Sequence, residues 1–296
     1  MGCSMDTLRA TTPALEIGYE SAGPADGPPV LLVHGWPDDI RTYDGITPAL
    51  HAAGMRTFVP WLRGYGPTRF RDTNTIRSGE VAAIVQDMLD FADAVGLNRF
   101  RVVGHDWGAR VAYTLAGVAP DRVERIVAMS VGWAPGEAVT PPLEQAQAYW
   151  YQWFMSTQRG AEFVRRQPRA FARRQWDTWS PPGWFTNEEF ERTAVSFENP
   201  DWVDVTLHYY RVRWGEASPA PGYAKLTAAA NAVRSINVPT MVLHGAADRC
   251  VLLQSSDGME QYFTNGYRRE LLEGIGHFPT REAPGAVADL LVRFLA

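Results

Sequence analysis

Apolar and polar positions along the chain follow two rhythms. Short unbroken apolar runs recur in the first half: VLLVH (Val30–His34), RTFVPW (Arg56–Trp61), RVVGH (Arg101–His105) and RIVAMSV (Arg125–Val131). Each has the length of a strand buried on both faces. Between the second and third runs, Val81, Ile84, Val85, Met88, Leu89 and Ala92 fall at helical spacing within GEVAAIVQDMLDFADAVGL. The pattern returns near the end with TMVLHG (Thr240–Gly245), RRELLEG (Arg268–Gly274) and an amphipathic helix from about Pro284 to Leu295, whose proline suits a first helical turn. Strands alternating with helices predict βαβ units, hence an α/β fold with a mostly parallel sheet flanked by helices.

The middle of the chain breaks this pattern. From Gly136 to Glu216 there is no strand-like run; Trp and Tyr are frequent, the arginine-rich stretches look helical, and SPPGWF (Ser180–Phe185) interrupts them. Residues 1–135 and 217–296 are therefore expected to build one core, with 136–216 inserted as a helical cap over the sheet. The insertion's arginines, Arg165, Arg166, Arg169, Arg173 and Arg174, read as a solvated helix face.

Composition narrows the function. With 46% hydrophobic and 21% charged residues over 296 positions, the chain has ordinary globular composition. A net charge of −5 argues against nucleic acid, and nothing points to a membrane. Lys225 is the one lysine, so the positive charge is almost all arginine. Two cysteines, Cys3 and Cys250, are too few for a disulfide framework or a thiolate metal site. A reducing, cytoplasmic setting is expected. The N-terminus has no apolar run, and Asp6 stands where a myristoylation signal at Gly2 wants Ser or Thr. No spacing suits a metal and no cofactor is called for; nothing fixes an oligomeric state.

The stretch RVVGHDWGAR, Arg101–Arg110, joins a strand to the start of a helix and carries two glycines four positions apart. That frame matches the nucleophile elbow G-x-S-x-G, a tight turn that pushes a reactive side chain into the open; here Asp106 holds the central place. Asp248 lies just beyond TMVLHG and His277 just beyond RRELLEG, so three strands end in the order nucleophile, acid, histidine. The carboxyl ends of parallel strands are where an open sheet binds its ligand. A carboxylate attacking an ester would give an anhydride, but at the saturated carbon of an epoxide or carbon–halogen bond it gives an alkyl ester. His277, oriented by Asp248, is then the base that drives water onto that ester. The resulting oxyanion needs donors, and the backbone N–H groups of Trp107 and of Trp36, in the turn VHGWPDD, are the candidates. Gly35 permits close approach in that turn and Pro37 stiffens it, while His34 and His105 are assigned packing roles.

Together the HGWP turn, RGYGPT (Arg63–Thr68), GHDWG, GAADRCV and GHFP resemble the Asp-nucleophile branch of the α/β-hydrolase fold, home of epoxide hydrolases and of haloalkane and haloacetate dehalogenases. The resemblance spans nearly all of the core. It implies a cofactor-free epoxide hydrolase acting on a small molecule, with cap tyrosines protonating the opened ring. Tyr210, in LHYYRVRWG, fits the second tyrosine; the first falls by count on Trp150, bracketed by Tyr149 and Tyr151. The alternative is a dehalogenase using the same triad, with the Trp107 indole as halide donor. Arg110 matches an arginine that holds the carboxylate of haloacetates, although an ion pair within the fold is the plainer reading. A non-catalytic ligand-binding protein is a third reading, opposed by the intact triad. The many tryptophans favour an apolar or aromatic substrate.

Overall fold

The computed structural model describes residues 7–136 and 140–296; the readings at Gly2, Cys3 and Asp6 lie outside the described residues. Most of the apolar runs become strands covered on both faces, while RRELLEG forms an edge strand that is only half-buried. Val30, Leu31, Leu32 and Val33 are fully buried, as is every residue of the TMVLHG strand. The strands are β1 (Leu8–Thr11), β2 (Leu15–Ala22), β3 (Pro29–Val33), β4 (Arg56–Pro60), β5 (Arg69–Phe70), β6 (Phe100–His105), β7 (Val123–Met129), β8 (Thr240–Gly245) and β9 (Tyr267–Leu272). They form one sheet in the order β1-β2-β4-β3-β6-β7-β8-β9, with β5 on β2.

From β4 to β9 the neighbours are parallel, and only β1, β2 and β5 pair antiparallel. The sequence reading finds the parallel strands and misses these three. β2 mixes apolar Leu15 and Ile17 with polar positions and β1 has one buried residue, so neither presents a continuous run. The β7 strand starts at Val123, two residues earlier than its apolar run, because Val123 pairs with Phe100.

The helices Val81–Ala94, Trp107–Val118 and Pro284–Leu295 bury their apolar stripes against the rest of the core. Six helices stand between β7 and β8 from Leu143 to Arg213. They meet the core at the carboxyl ends of the strands: the Trp176 indole donates to the Pro37 carbonyl (2.7 Å), the Ser196 hydroxyl to Asp39 (2.6 Å), and Arg281 bridges Asp38 (2.5 Å) and Thr193 (2.9 Å). Three arginines expected on a solvated face make ion pairs at the surface, Arg165 with Asp204, Arg169 with Glu191 and Glu198, and Arg173 with Asp177. No helix of the described residues is long and apolar enough to cross a membrane.

Candidate active site

The turn after β6 is built by two glycines. A Cβ on Gly104 would sit 2.0 Å from the Gly108 carbonyl oxygen, and one on Gly108 would sit 1.8 Å from that of Val33. Without side chains the helix Trp107–Val118 can start directly on top of β3 and β6. That tight start forces Asp106 to φ 51° and ψ −109°, a conformation that costs a non-glycine residue about 1–3 kcal/mol and marks functional turns. The carboxylate so displayed accepts the Trp36 N–H at 2.9 Å on Oδ1. Gly35 makes room for it: a Cβ there would lie 2.5 Å from that of Asp106. The Trp107 N–H opens the same helix, where no helical carbonyl can take it.

Asp248 and His277 come from the loops after β8 and β9. His277 Nδ1 lies 2.8 Å from Asp248 Oδ2, while Asp248 Oδ1 accepts the N–H groups of Cys250 (2.7 Å) and Val251 (3.0 Å). Burial raises the Asp248 pKa, but His277 and, beside it, His244 outweigh it and hold the group at about 2. The other imidazole nitrogen, Nε2, faces Asp106 Oδ2 at 3.7 Å and has no hydrogen-bond partner among the described residues. Burial alone would lower the His277 pKa; the charges of Asp248 and Asp106 raise it to about 10. For Asp106 the balance runs the other way, and His277 keeps its carboxyl below the ordinary range despite burial.

Several supports have no motif behind them. The His277 carbonyl pairs with His105 Nε2 (2.6 Å) and accepts the Ser130 hydroxyl (2.9 Å), and its N–H donates to Ser180 Oγ (2.8 Å). Ser180 heads the SPPGWF segment, so the breaker reaches down from the helical insertion to hold the histidine. His34, as the sequence suggests, is a turn residue: Nδ1 lies 3.0 Å from the Gly35 carbonyl, and Nε2 accepts the Leu62 N–H at 3.1 Å.

Above Asp106 lies a narrow cavity of about 10 Å³, walled by Trp107, Arg110, Tyr149, Tyr151, Gln152, Tyr209, Tyr210, Arg213 and Val251. The Tyr210 hydroxyl accepts the Trp107 indole N–H (3.1 Å) and the Tyr151 hydroxyl accepts the Gln152 amide (2.7 Å). With a lone pair engaged on its oxygen, the Tyr210 phenolic hydrogen is left for another acceptor, while the Tyr151 hydroxyl also lies 3.5 Å from Cys250 Sγ. The two rings meet edge-on at 5.4 Å, and Tyr151 stacks on Trp36 at 5.5 Å. Trp150, by contrast, is 40% exposed and packs on Phe154 and Phe171 outside the cavity. The count that pointed to it fails because one helix ends at Ala148 and another begins at Trp150, with Tyr149 capping both. Arg110 also departs from expectation: it lines the cavity and forms no ion pair among the described residues.

Residues 28–284 match the sequence family of the alpha/beta hydrolase fold. The chain belongs to that family. An α/β-hydrolase of Klebsiella pneumoniae, described as a presumed epoxide hydrolase, superimposes with a TM-score of 0.89 at 36% identity, covering 98% of this chain and 96% of that one. Epoxide hydrolase A of Mycobacterium tuberculosis is 25% identical over 100% of this chain and 98% of its own length. Epoxide Hydrolase A of Mycobacterium thermoresistibile has the same fold, with a TM-score of 0.80 at 24% identity, covering 99% of this chain and 98% of that one. Among the described residues of this α/β-hydrolase, no group of three His, Cys, Asp or Glu is placed to hold a metal ion.

Proposed function

We propose that the protein is an epoxide hydrolase that converts a small epoxide to a vicinal diol. The observation that carries this reading is the pair of phenols, Tyr210 and Tyr151, lining the cavity that holds Asp106, each with an N–H donor already on its oxygen. Asp106 Oδ2 attacks a ring carbon, the C–O bond opens, and the alkoxide takes a proton from Tyr210 with Tyr151 as second donor. His277 then removes a proton from water as that water adds to the ester carbonyl. The negative charge gathers on Oδ1, already held by the Trp36 N–H, with the Trp107 N–H as second donor. Collapse expels the second diol oxygen, which takes the proton of the added hydroxyl, and returns the carboxylate, and the proton held by His277 passes back to the Tyr210 phenolate.

The names of the relatives point the same way. So does the commitment of the Trp107 indole to Tyr210, which takes away the donor a halide would need. The helical insertion acts as the cap, and its aromatic walls suit a substrate with an apolar body. A cytoplasmic setting belongs to the same proposal, supported by the buried, unpaired Cys250.

The test is diol and halide release from a panel of aryl and alkyl epoxides, haloalkanes and haloacetates, with Asp106→Ala as control. Diol that disappears in the variant is the expected result, and Tyr210→Phe should slow ring opening about 100-fold. Halide without diol would overturn the reading in favour of a dehalogenase.

A further inference from the structure

The acid of the triad stands between two buried imidazoles. His277 Nδ1 meets Asp248 Oδ2 at 2.8 Å, and His244 Nε2 faces the same oxygen at 3.6 Å. His244 is the next-to-last residue of β8 and is fully buried; no step of the reaction above uses it. Its hydrogen bonds decide which edge of the ring turns to the acid. Nε2 lies 2.8 Å from the Val251 carbonyl, and a carbonyl only accepts, so Nε2 carries a hydrogen. Nδ1 lies 2.8 Å from Ser256 Oγ, which accepts the Arg269 Nε–H at 3.0 Å. The ring therefore presents a positive N–H edge to Asp248, with the Arg269 guanidinium, paired with Asp257, behind Ser256. A chain of polar contacts runs from β9 through Ser256, His244 and Asp248 to His277.

At 3.6 Å the His244 N–H is too far from Oδ2 for a hydrogen bond of its own. A positive edge at that distance in a buried site still offsets part of a carboxylate's charge, and His244 is among the groups that hold the Asp248 carboxyl low. A carboxylate tempered in this way holds a proton on His277 less firmly. The titratable groups facing His277 are Asp106 from the elbow, Asp248 from the loop after β8, and His105 at the end of β6, its ring centre 5.1 Å away and its pKa lowered by burial. From the insertion, Trp179 and Ser180 reach it and carry no charge. Once Asp106 is esterified, Asp248 is the carboxylate that keeps His277 protonated, so a group that tempers Asp248 frees the base.

We infer that His244 is a positioning residue that acts on His277 through Asp248: its N–H edge offsets part of the acid's charge, so His277 gives up its proton and serves as base at a lower pH than Asp248 alone would allow. The inference rests on the epoxide hydrolase reading for the ester that His277 hydrolyses.

The test uses variants that divide the contacts of the ring. His244→Asn reaches only as far as Nδ1, keeping the Ser256 side and losing the edge at Asp248, whereas His244→Gln reaches as far as Nε2 and keeps an N–H there. His244→Leu repeats the loss with an apolar side chain that fills the space, so the outcome does not hang on one variant folding. Each is combined with Asp106→Asn, whose neutral amide stands in for the ester, and His277 is titrated by NMR of ¹⁵N-histidine-labelled protein without substrate. Its pKa should rise by about 0.5 or more in the Asn and Leu variants and stay within about 0.2 of the parent in the Gln variant. A merely structural prop gives the opposite sign, because Asp248 would slip from His277 and the pKa would fall. A fall or no change would overturn the inference and leave the epoxide reading intact. With Asp106 present and styrene oxide as the probe, quenched-flow measurement should show ester hydrolysis about 3-fold slower on its acid limb in the Asn and Leu variants, with alkylation unchanged. The NMR shift with no epoxide turned over would keep the coupling and sink the reaction; turnover whose acid limb stays in place in both variants would refute the inference.

Discussion

The charge on His277 is tied to the charge on Asp106. Two carboxylates hold the imidazole pKa near 10, against a burial effect that would lower it. In the reaction proposed above, ester formation neutralises Asp106 and leaves Asp248 alone, so the imidazole pKa falls in the intermediate and a general base appears at the step that needs one. The sign follows directly. Hydrolysis requires neutral His277 and should fall as pH drops through its pKa in the ester, while alkylation requires only ionised Asp106, which is held below the usual carboxylate range. Quenched-flow mass spectrometry should therefore find the alkyl-enzyme accumulating toward acid pH, and His277→Gln should trap it at any pH. A common titration of both half-reactions would contradict this coupling. The sequence displays these three residues because a motif accompanies each. It does not display His105, Ser130 and Ser180, whose contacts with the His277 backbone arise only when distant loops meet.

At the scale of elements, the elbow depends on how closely a helix can approach a strand. Gly108 stands so near β3 that alanine would place its Cβ 1.8 Å from a backbone oxygen that cannot turn aside. Gly108→Ala should cost at least about 3 kcal/mol, because the helix or the strand must move. Gly285→Ala is the control: that site opens on free space in the helix Pro284–Leu295, and alanine there should be neutral or stabilising by up to about 1 kcal/mol. Urea unfolding of the two variants checks both. Strands buried on both faces were readable from composition alone, since nothing polar can interrupt them. The antiparallel strands β1, β2 and β5 were not, because they are short or have their apolar residues interrupted by polar ones of the kind loops also use. In the insertion, the break at Tyr149 resets helical phase, so spacing could not decide between Tyr149, Trp150 and Tyr151.

The whole molecule is tied across long sequence separations by buried polar groups. Arg63, from the RGYGPT motif, binds Asp87 through Nε (2.6 Å) and Nη2 (2.7 Å), the carbonyls of Ser78 and Ala83, and the Tyr223 hydroxyl. It thereby joins the loop after β4, the helix Val81–Ala94 and the segment that follows the insertion. Asp87→Ala strands a fully buried guanidinium and should cost about 3–5 kcal/mol, whereas replacing both partners by apolar residues of similar volume should cost much less. Denaturation of the single and double variants separates pairing from packing, and equal losses in both would show that volume alone matters there. The core–insertion contacts, Trp176 to Pro37, Ser196 to Asp39 and Arg281 to Thr193, bring the phenols over the elbow.

The sequence by itself determined the parallel core, the order of its strands' reactive ends and the triad, because strand burial and tight-turn sterics act over a few residues and leave a local pattern. Tertiary structure alone decided which face of each insertion helix meets the nucleophile. It placed Tyr151 inside and Trp150 outside, engaged the phenols of Tyr210 and Tyr151, and set Arg110 and Arg213 against one cavity. Those outcomes depend on packing between segments far apart in the chain, Trp107 and Tyr210 being 103 positions apart, and the partner a side chain meets at that range is absent from its own neighbourhood in the chain.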